Sequence, residues 1–275
     1  MRILFIGDIV GKPGVEIAVQ AIPGYRRDES IDLVIANGEN AESGSGITPK
    51  IHKRLINAGV DCITLGDHIY RKKDIIPTLE NKSNIVKPAN YPADAPGKTW
   101  TVVKSETGKK VAVFSAIGRV FMKPADCPFA AVDKVLEEIP DDVVIRFCDF
   151  HAEATSDKQL MGRHLDGRVT AVCGTHTHVP TADEQVLPGG TAYITDVGMT
   201  GPHESILGRK IQNVLSATTS FKPIPFDVAK NDVQISGVVI EIEPKTGRAT
   251  KITRIKINER QACLLYTSPS PRDRG

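Results

Sequence analysis

Eight polar residues stand out because each follows or closes an apolar run: Asp8, Glu39, Asn40, Asp67, His68, His151, His176 and His178. Imidazole mixed with carboxylate, and no thiolate, suits Mn, Fe or Zn in a catalytic, water-accessible role. Three carboxylates with three or four histidines exceed what one structural zinc needs. Two metals about 3.5–4 Å apart require a bridging carboxylate and a bridging water, which serves as a hydroxide nucleophile. The chemistry would be hydrolysis. Taken singly, each residue has an ordinary reading. Asp8 could cap a helix, Glu39 or Asp67 could be solvated, and His176 and His178 could be exposed loop histidines. Ligand-type residues at the ends of five separate strands do not fit that account.

The strands are read from punctuated apolar runs. Residues 1–7 (MRILFIG) form a buried-strand pattern ending at Gly7-Asp8, and 31–36 end in Asn37-Gly38-Glu39-Asn40. Residues 61–65 end in Gly66-Asp67-His68, and 143–147 lead to His151. The run 169–173 stops at Gly174, with His176-Thr177-His178 beyond it. On an extended chain, residues two apart point to one side, roughly 6.5–7 Å apart. His176 and His178 are therefore expected to face the same way at a strand end; on a helix they would lie on nearly opposite faces. In open α/β sheets, loops from neighbouring strands converge beyond the carboxyl ends, and ligands bind there.

The intervening elements follow from caps and turns. Helices are expected at 15–21, at 49–58 with Thr48 as N-cap and Gly59 as C-cap, and at 126–138, 156–165 and 204–215. Gly208 weakens the last of these. Short strands are read at 85–91 and 191–195, with hairpins at 99–105/110–116 and 233–242/250–257. Asp149 alternates with His151 and could orient it, or belong to a buried ion pair. Gly11-Lys12-Pro13-Gly14 could offer backbone N–H groups to phosphate or be a simple turn. His52, His164 and His203 are read as surface residues without a chemical role.

The 275 residues suggest one large α/β domain. A hydrophobic fraction of 40% suffices for a real core, and a net charge of +2 gives no reason to expect a nucleic-acid tail or membrane patch. The amino terminus has no long apolar region of the signal-peptide type, and no run approaches the ~20 apolar residues of a membrane span. Five scattered cysteines without CxxC pairing favour a reduced, cytoplasmic setting, three of them as small buried hydrophobes.

Six motifs in register, GDIVGKPG, NGENAESGSGIT, TLGDH, DFHAEATSDK, CGTHTHVPTAD and ITDVGMTGP, resemble the YmdB-like branch of the calcineurin-type metallophosphoesterases from residue 1 to about 258. The resemblance implies a four-layer α/β/β/α sandwich and a dinuclear site acting on phosphodiesters, cyclic nucleotides being the substrate class. By position, Asp8, Glu39, Asn40 and His178 would surround one metal. Glu39, Asp67, His151 and His176 would hold the other, with Glu39 bridging. Fe or Mn is the expected pair, with Zn or Mg as alternatives. His68 matches the family's catalytic histidine and would assist the leaving group while hydroxide attacks phosphorus. A homo-oligomer and a link to RNA are left open.

Asp67 departs from the Gly-Asn-His of most metallophosphoesterases. The third carboxylate sets three negative charges against about four on two divalent metals, which predicts altered metal preference or lower activity. A regulatory or RNA-associated scaffold that merely retains the site is the alternative this leaves. An amidohydrolase-like barrel also uses His-x-His, but at its first strand rather than late in the chain. The domain is expected over 1–260. Residues 261–275 read as a non-native or disordered tail, because CLLYTSPSPRDRG breaks the alternation and resembles translated sequencing-adapter read-through.

Overall fold

Alternation along the first strand sets the layers. Ile3 and Phe5 are buried on one side of Arg2–Ile6, and Leu4 and Ile6 on the other. In the computed structural model, which describes residues 1–267, the chain begins β1 (Arg2–Ile6), α1 (Gly11–Asp28), β2 (Leu33–Asn37), α2 (Pro49–Asn57), β3 (Cys62–Thr64), α3 (Ile76–Asn81) and β4 (Ile85–Val86). A second unit follows: β5 (Trp100–Lys104), β6 (Lys110–Ile117), α4 (Pro128–Glu138), β7 (Ile145–His151), α5 (Thr155–Leu165), β8 (Ala171–Thr175), β9 (Gln185–Val186) and β10 (Ala192–Ile194). The chain then returns through β11 (Gly201–Pro202), α6 (Ile211–Ser220), β12 (Val233–Ile242), β13 (Ala249–Asn258) and α7 (Glu259–Thr267).

Two sheets result. The first runs β11-β12-β1-β2-β3-β4, with β13 on β12; β1 to β4 are parallel, and β12 lies antiparallel to β1. The second runs β5-β6-β7-β8-β10-β9, with β6, β7, β8 and β10 parallel. Ile3, Phe5, Leu33 and Ile35 of the first sheet pack on Val113, Phe147, Ala171 and Cys173 of the second, and the rings of Phe5 and Phe147 lie 4.8 Å apart. The outer face of the first sheet is covered by apolar residues of α1 and α2, and that of the second by α4 and α5. This is the four-layer α/β/β/α sandwich. Cys62, Cys148 and Cys173 are buried in it as free thiols. No helix among the described residues is long and apolar enough to cross a membrane.

Several elements differ from expectation for identifiable reasons. Helix α1 starts at Gly11, because Pro13 sits in the first turn, where its missing N–H is no loss. Its N-cap is Val10, so Asp8 caps nothing. Strand β8 runs through Gly174 to Thr175; a Cβ at Gly174 would lie 1.7 Å from the Thr195 carbonyl oxygen, so this glycine permits close strand packing and does not end the strand. The helix expected from 204 begins only at Ile211, since Leu207 and Gly208 take left-handed conformations (φ +49° and +88°). His52 is buried, against expectation, and bonds Asn84 at 3.0 Å. The expected boundary at 261 falls inside α7. Its Ala262 is fully buried, and the Leu265 carbonyl approaches Gly24 of α1 so closely that a Cβ there would lie 2.2 Å away. Residues 268–275 of the expected tail lie outside the described residues.

Candidate metal centre

The carboxyl ends of parallel strands from both sheets meet at one edge. Asp8 follows β1, Glu39 and Asn40 follow β2, and Asp67 and His68 follow β3. His151 is the last residue of β7, while His176 and His178 follow β8. Glu39, Asp67, His151 and His176 each bring a ligand atom within 4.8 Å of the others. Gly66 makes this convergence possible, because a Cβ there would lie 2.3 Å from both Glu39 Oε2 and the His151 ring.

Within the cluster, His151 Nε2 is 3.1 Å from Glu39 Oε1, 3.4 Å from Asp67 Oδ1 and 3.0 Å from His176 Nδ1. Asp8 and His178 adjoin it: His178 Nε2 lies 3.9 Å from Asp8 Oδ1, and Asp8 Oδ2 accepts the His176 backbone N–H at 3.1 Å. Among the described residues, Asp8 Oδ1 and Asp67 Oδ1 are buried without a hydrogen-bond partner, a costly state for a carboxylate oxygen. Asn40 is turned differently. Its Oδ1 accepts from His68 Nδ1 at 2.7 Å, and its Nδ2 faces Glu39 Oε1 and His178 Nε2 at 3.1 and 3.2 Å.

The outer ring nitrogens decide which way the lone pairs point. His176 Nε2 lies 3.1 Å from Glu153 Oε2, and His178 Nδ1 lies 3.2 Å from the Leu207 carbonyl. Both oxygens only accept, so those nitrogens carry the protons and the inner ones offer lone pairs. The left-handed turn at Leu207 and Gly208 thus presents a carbonyl to a candidate ligand. The electrostatics agree with a demand for positive charge. Burial would raise the Glu39 carboxyl, yet His151 and His68 beside it hold it well below the usual range. Burial would lower the His151 imidazole, yet Glu39, Asp67 and Asp8 hold it well above its ordinary value. Burial, with His151 alongside, pushes His176 down to about 4 and keeps it neutral.

His176 and His178 do not sit on an extended strand. Their φ angles are +92° and +66°, so strand periodicity does not place them. Backbone in that region is costly for residues with side chains and persists where the surroundings over-determine it. The surroundings here are a buried ion pair, Lys158 Nζ to Asp196 Oδ2 at 2.7 Å. Thr177, between the two histidines, donates its hydroxyl to the same Asp196 oxygen at 2.6 Å and its N–H at 3.2 Å, and accepts from Lys158 at 3.0 Å. Sequence reading missed Lys158, Thr177 and Glu153. One signal was available for Lys158: it shares a helical face with Met161 and Leu165, both buried.

His68 donates its backbone N–H to Glu39 Oε2 at 3.1 Å and leaves its Nε2 3.9 Å from Asp67 Oδ2, with 27% of the side chain exposed. Lys123 stands on the other side of Asp67, its Nζ 3.6 Å from Oδ2 and 3.1 Å from the backbone oxygen.

Known proteins resemble the chain over nearly its full length. A Bacillus subtilis protein named 2′,3′-cyclic-nucleotide 2′-phosphodiesterase is 47% identical over 259 residues, 94% of this chain and 98% of that one. A Thermus thermophilus crystal structure matches with a TM-score of 0.88 at 40% identity, covering 94% of this chain and 100% of that one. A Mycoplasma pneumoniae structure described as a novel phosphatase gives 0.87 at 32% identity, covering 94% and 93%. The family model described as YmdB-like protein matches residues 4–255, and the chain belongs to that family.

Proposed function

We propose that this chain is a metal-dependent phosphodiesterase that hydrolyses cyclic nucleotides, 2′,3′- and/or 3′,5′-cyclic, in the cytoplasm. One observation carries the reading: inward-facing imidazole lone pairs meet two buried carboxylate oxygens, Asp8 Oδ1 and Asp67 Oδ1, that have no hydrogen-bond partner among the described residues. Donors without protons of their own, converging at one point, are what a divalent cation requires. The name of the Bacillus subtilis relative supports the substrate class.

In this reading Glu39, Asp67, His151 and His176 would hold one metal. Asp8 and His178 would hold the second together with Glu39, and Asn40, its Oδ1 engaged by His68, would complete the surroundings of that second metal. Fe or Mn suits the imidazole–carboxylate donor set, and Zn or Mg would also be accepted. Bound there, the pair supplies Lewis acidity toward phosphate oxygens and lowers the pKa of water from about 15.7 toward ~7. His68 is the chain's own contribution to the departing group. Glu39 accepts its backbone N–H and Asn40 Oδ1 accepts the hydrogen bond from its Nδ1–H, so Nε2 is the nitrogen that, in the doubly protonated ring, would hand its proton to the leaving ribose oxygen and keep the lone pair.

Purification with metal quantification, followed by a panel of 2′,3′- and 3′,5′-cyclic nucleotides, tests the proposal. Two metals per chain and turnover stimulated by Mn or Fe are expected. Bound metal without turnover on any phosphodiester would favour the scaffold alternative, and a chain that binds no metal would overturn the reading.

A further inference from the structure

Two of the three inward-facing histidines have an outer partner that can only accept. His151 does not: its Nδ1 lies 2.9 Å from the hydroxyl oxygen of Thr175, a group that can donate or accept. What decides its direction lies one residue further out. Thr175 Oγ1 is 2.6 Å from Asp149 Oδ1, within a fully buried network. The other oxygen of Asp149 accepts from Asn37 Nδ2 at 2.9 Å and from the Thr64 hydroxyl at 2.5 Å. Every partner of this carboxylate among the described residues is therefore a donor.

A hydroxyl has one proton. If Thr175 gives it to Asp149, it has only lone pairs left for His151, and His151 Nδ1 must carry the ring proton. Its Nε2 is then the lone-pair nitrogen, on the side of Glu39, Asp67 and His176. We infer that Asp149, acting through Thr175, is a positioning residue that fixes the tautomer of His151 and so makes its Nε2 available as a metal ligand. The inference rests on the metal-centre reading above. Three donors on its two oxygens suit the carboxylate form of Asp149.

The same network names its own test. Asn37 and Thr64 share one oxygen of Asp149, so an asparagine at 149 keeps both by placing its Oδ1 there. Its amide nitrogen then faces Thr175. Thr175 must accept from it and turn its proton toward His151 Nδ1, which sends the ring proton to Nε2 and into the site. Asp149→Asn thus reverses the relay with almost no change of shape. Thr175→Val cuts the relay and leaves Asp149 in place, whereas Thr175→Ser preserves it.

The experiment has two readouts. Calorimetric titration with Mn²⁺ or Zn²⁺ is expected to show affinity about 10–100-fold weaker for Asp149→Asn and Thr175→Val, as for other residues that support ligand histidines. Thr175→Ser should stay within a few-fold of the wild type. In parallel, ¹⁵N spectra of histidine-labelled, metal-free protein at alkaline pH, assigned with His151→Gln, should place the neutral ring's proton on Nδ1 in the wild type. Wild-type protein with the proton on Nε2, or Thr175→Val with unaltered metal affinity, would overturn the relay. A wild type that binds no metal but keeps the proton on Nδ1 would instead overturn the metal-centre reading and leave the relay standing. If Asp149→Asn does not fold, Thr175→Val and the wild-type spectrum still decide.

Discussion

The two sheets contribute different chemistry to the same edge. Every candidate carboxylate, Asp8, Glu39 and Asp67, follows a strand of the first sheet, and every candidate ligand imidazole, His151, His176 and His178, comes from the second. The manner of holding differs too. The acids follow directly on adjacent parallel strands and are gathered by short turns, with Gly66 opening the space between Glu39 and His151. His176 and His178 are held in left-handed backbone by a buried lysine–aspartate pair, and His151 by a buried threonine and aspartate. The acid half is thus carried by the first sheet, whereas the imidazole half also needs buried supports around its loops. The centre exists only when the sheets stack, and the Phe5–Phe147 contact between them is part of its foundation.

If this division is right, the largest single loss should come from Glu39, which touches the opposite half directly. It lies 3.1 Å from His151 Nε2 and accepts the backbone N–H of His68. Glu39→Gln is expected to lose both metal and turnover by more than the roughly 100-fold upper limit for a supporting residue. Metal analysis and assay of the same preparation check this, and a variant that keeps either one would rule out the proposed bridging role of Glu39. His68→Ala comes next. It belongs to the first sheet yet is assigned no metal, so turnover should fall about 10²–10⁴-fold while metal content stays unchanged. A matching fall in metal would make His68 a ligand or a structural residue.

Lys158→Met probes the imidazole half. It leaves Asp196 buried and unpaired, a change that costs about 3–5 kcal/mol in comparable sites, and it frees the loop carrying His176 and His178. A lower melting temperature and metal affinity weaker by about 10–100-fold are expected. Loss of stability with metal affinity intact would show that the loop holds its shape without the pair.

The same division explains how much the sequence disclosed. Strand alternation and the polar residues after each strand were legible, because both depend on positions a few residues apart. The acid half could therefore be read almost directly, and His151, His176 and His178 were legible as residue types. Their placement was not. The expectation that His176 and His178 share a side rested on extended backbone, and the structure gives both a positive φ. That conformation is imposed by Lys158 and Asp196, each about 20 residues from Thr177 in the chain and on opposite sides of it. The same holds for Leu207, whose carbonyl orients His178, and for the helix start displaced to Ile211. Interactions of that range leave little trace in local periodicity, the buried face that Lys158 shares with Met161 and Leu165 being the one sign of them.

Asp67 is where the two halves are least balanced, and it gives the smallest predicted effect. Its third carboxylate adds negative charge facing an incoming phosphate, which argues that Asp67→Asn retains metal and raises turnover. The structure limits the size of that rise. Lys123 Nζ stands 3.6 Å from Asp67 Oδ2 on a half-exposed side chain and already offsets part of the charge. Exposed pairs of this kind are worth about 0.2–1 kcal/mol, so the gain should be about fivefold or less. The two residues should also be coupled: Lys123→Met should slow the wild type more than it slows Asp67→Asn, and a double-mutant cycle on turnover measures the difference. Additive effects would mean that Lys123 serves no compensating role. Loss of a metal in Asp67→Asn would mean that the negative charge is itself needed to hold the cation against His151 and His176, and the departure from the family's usual asparagine would then be a property of the metal this chain selects.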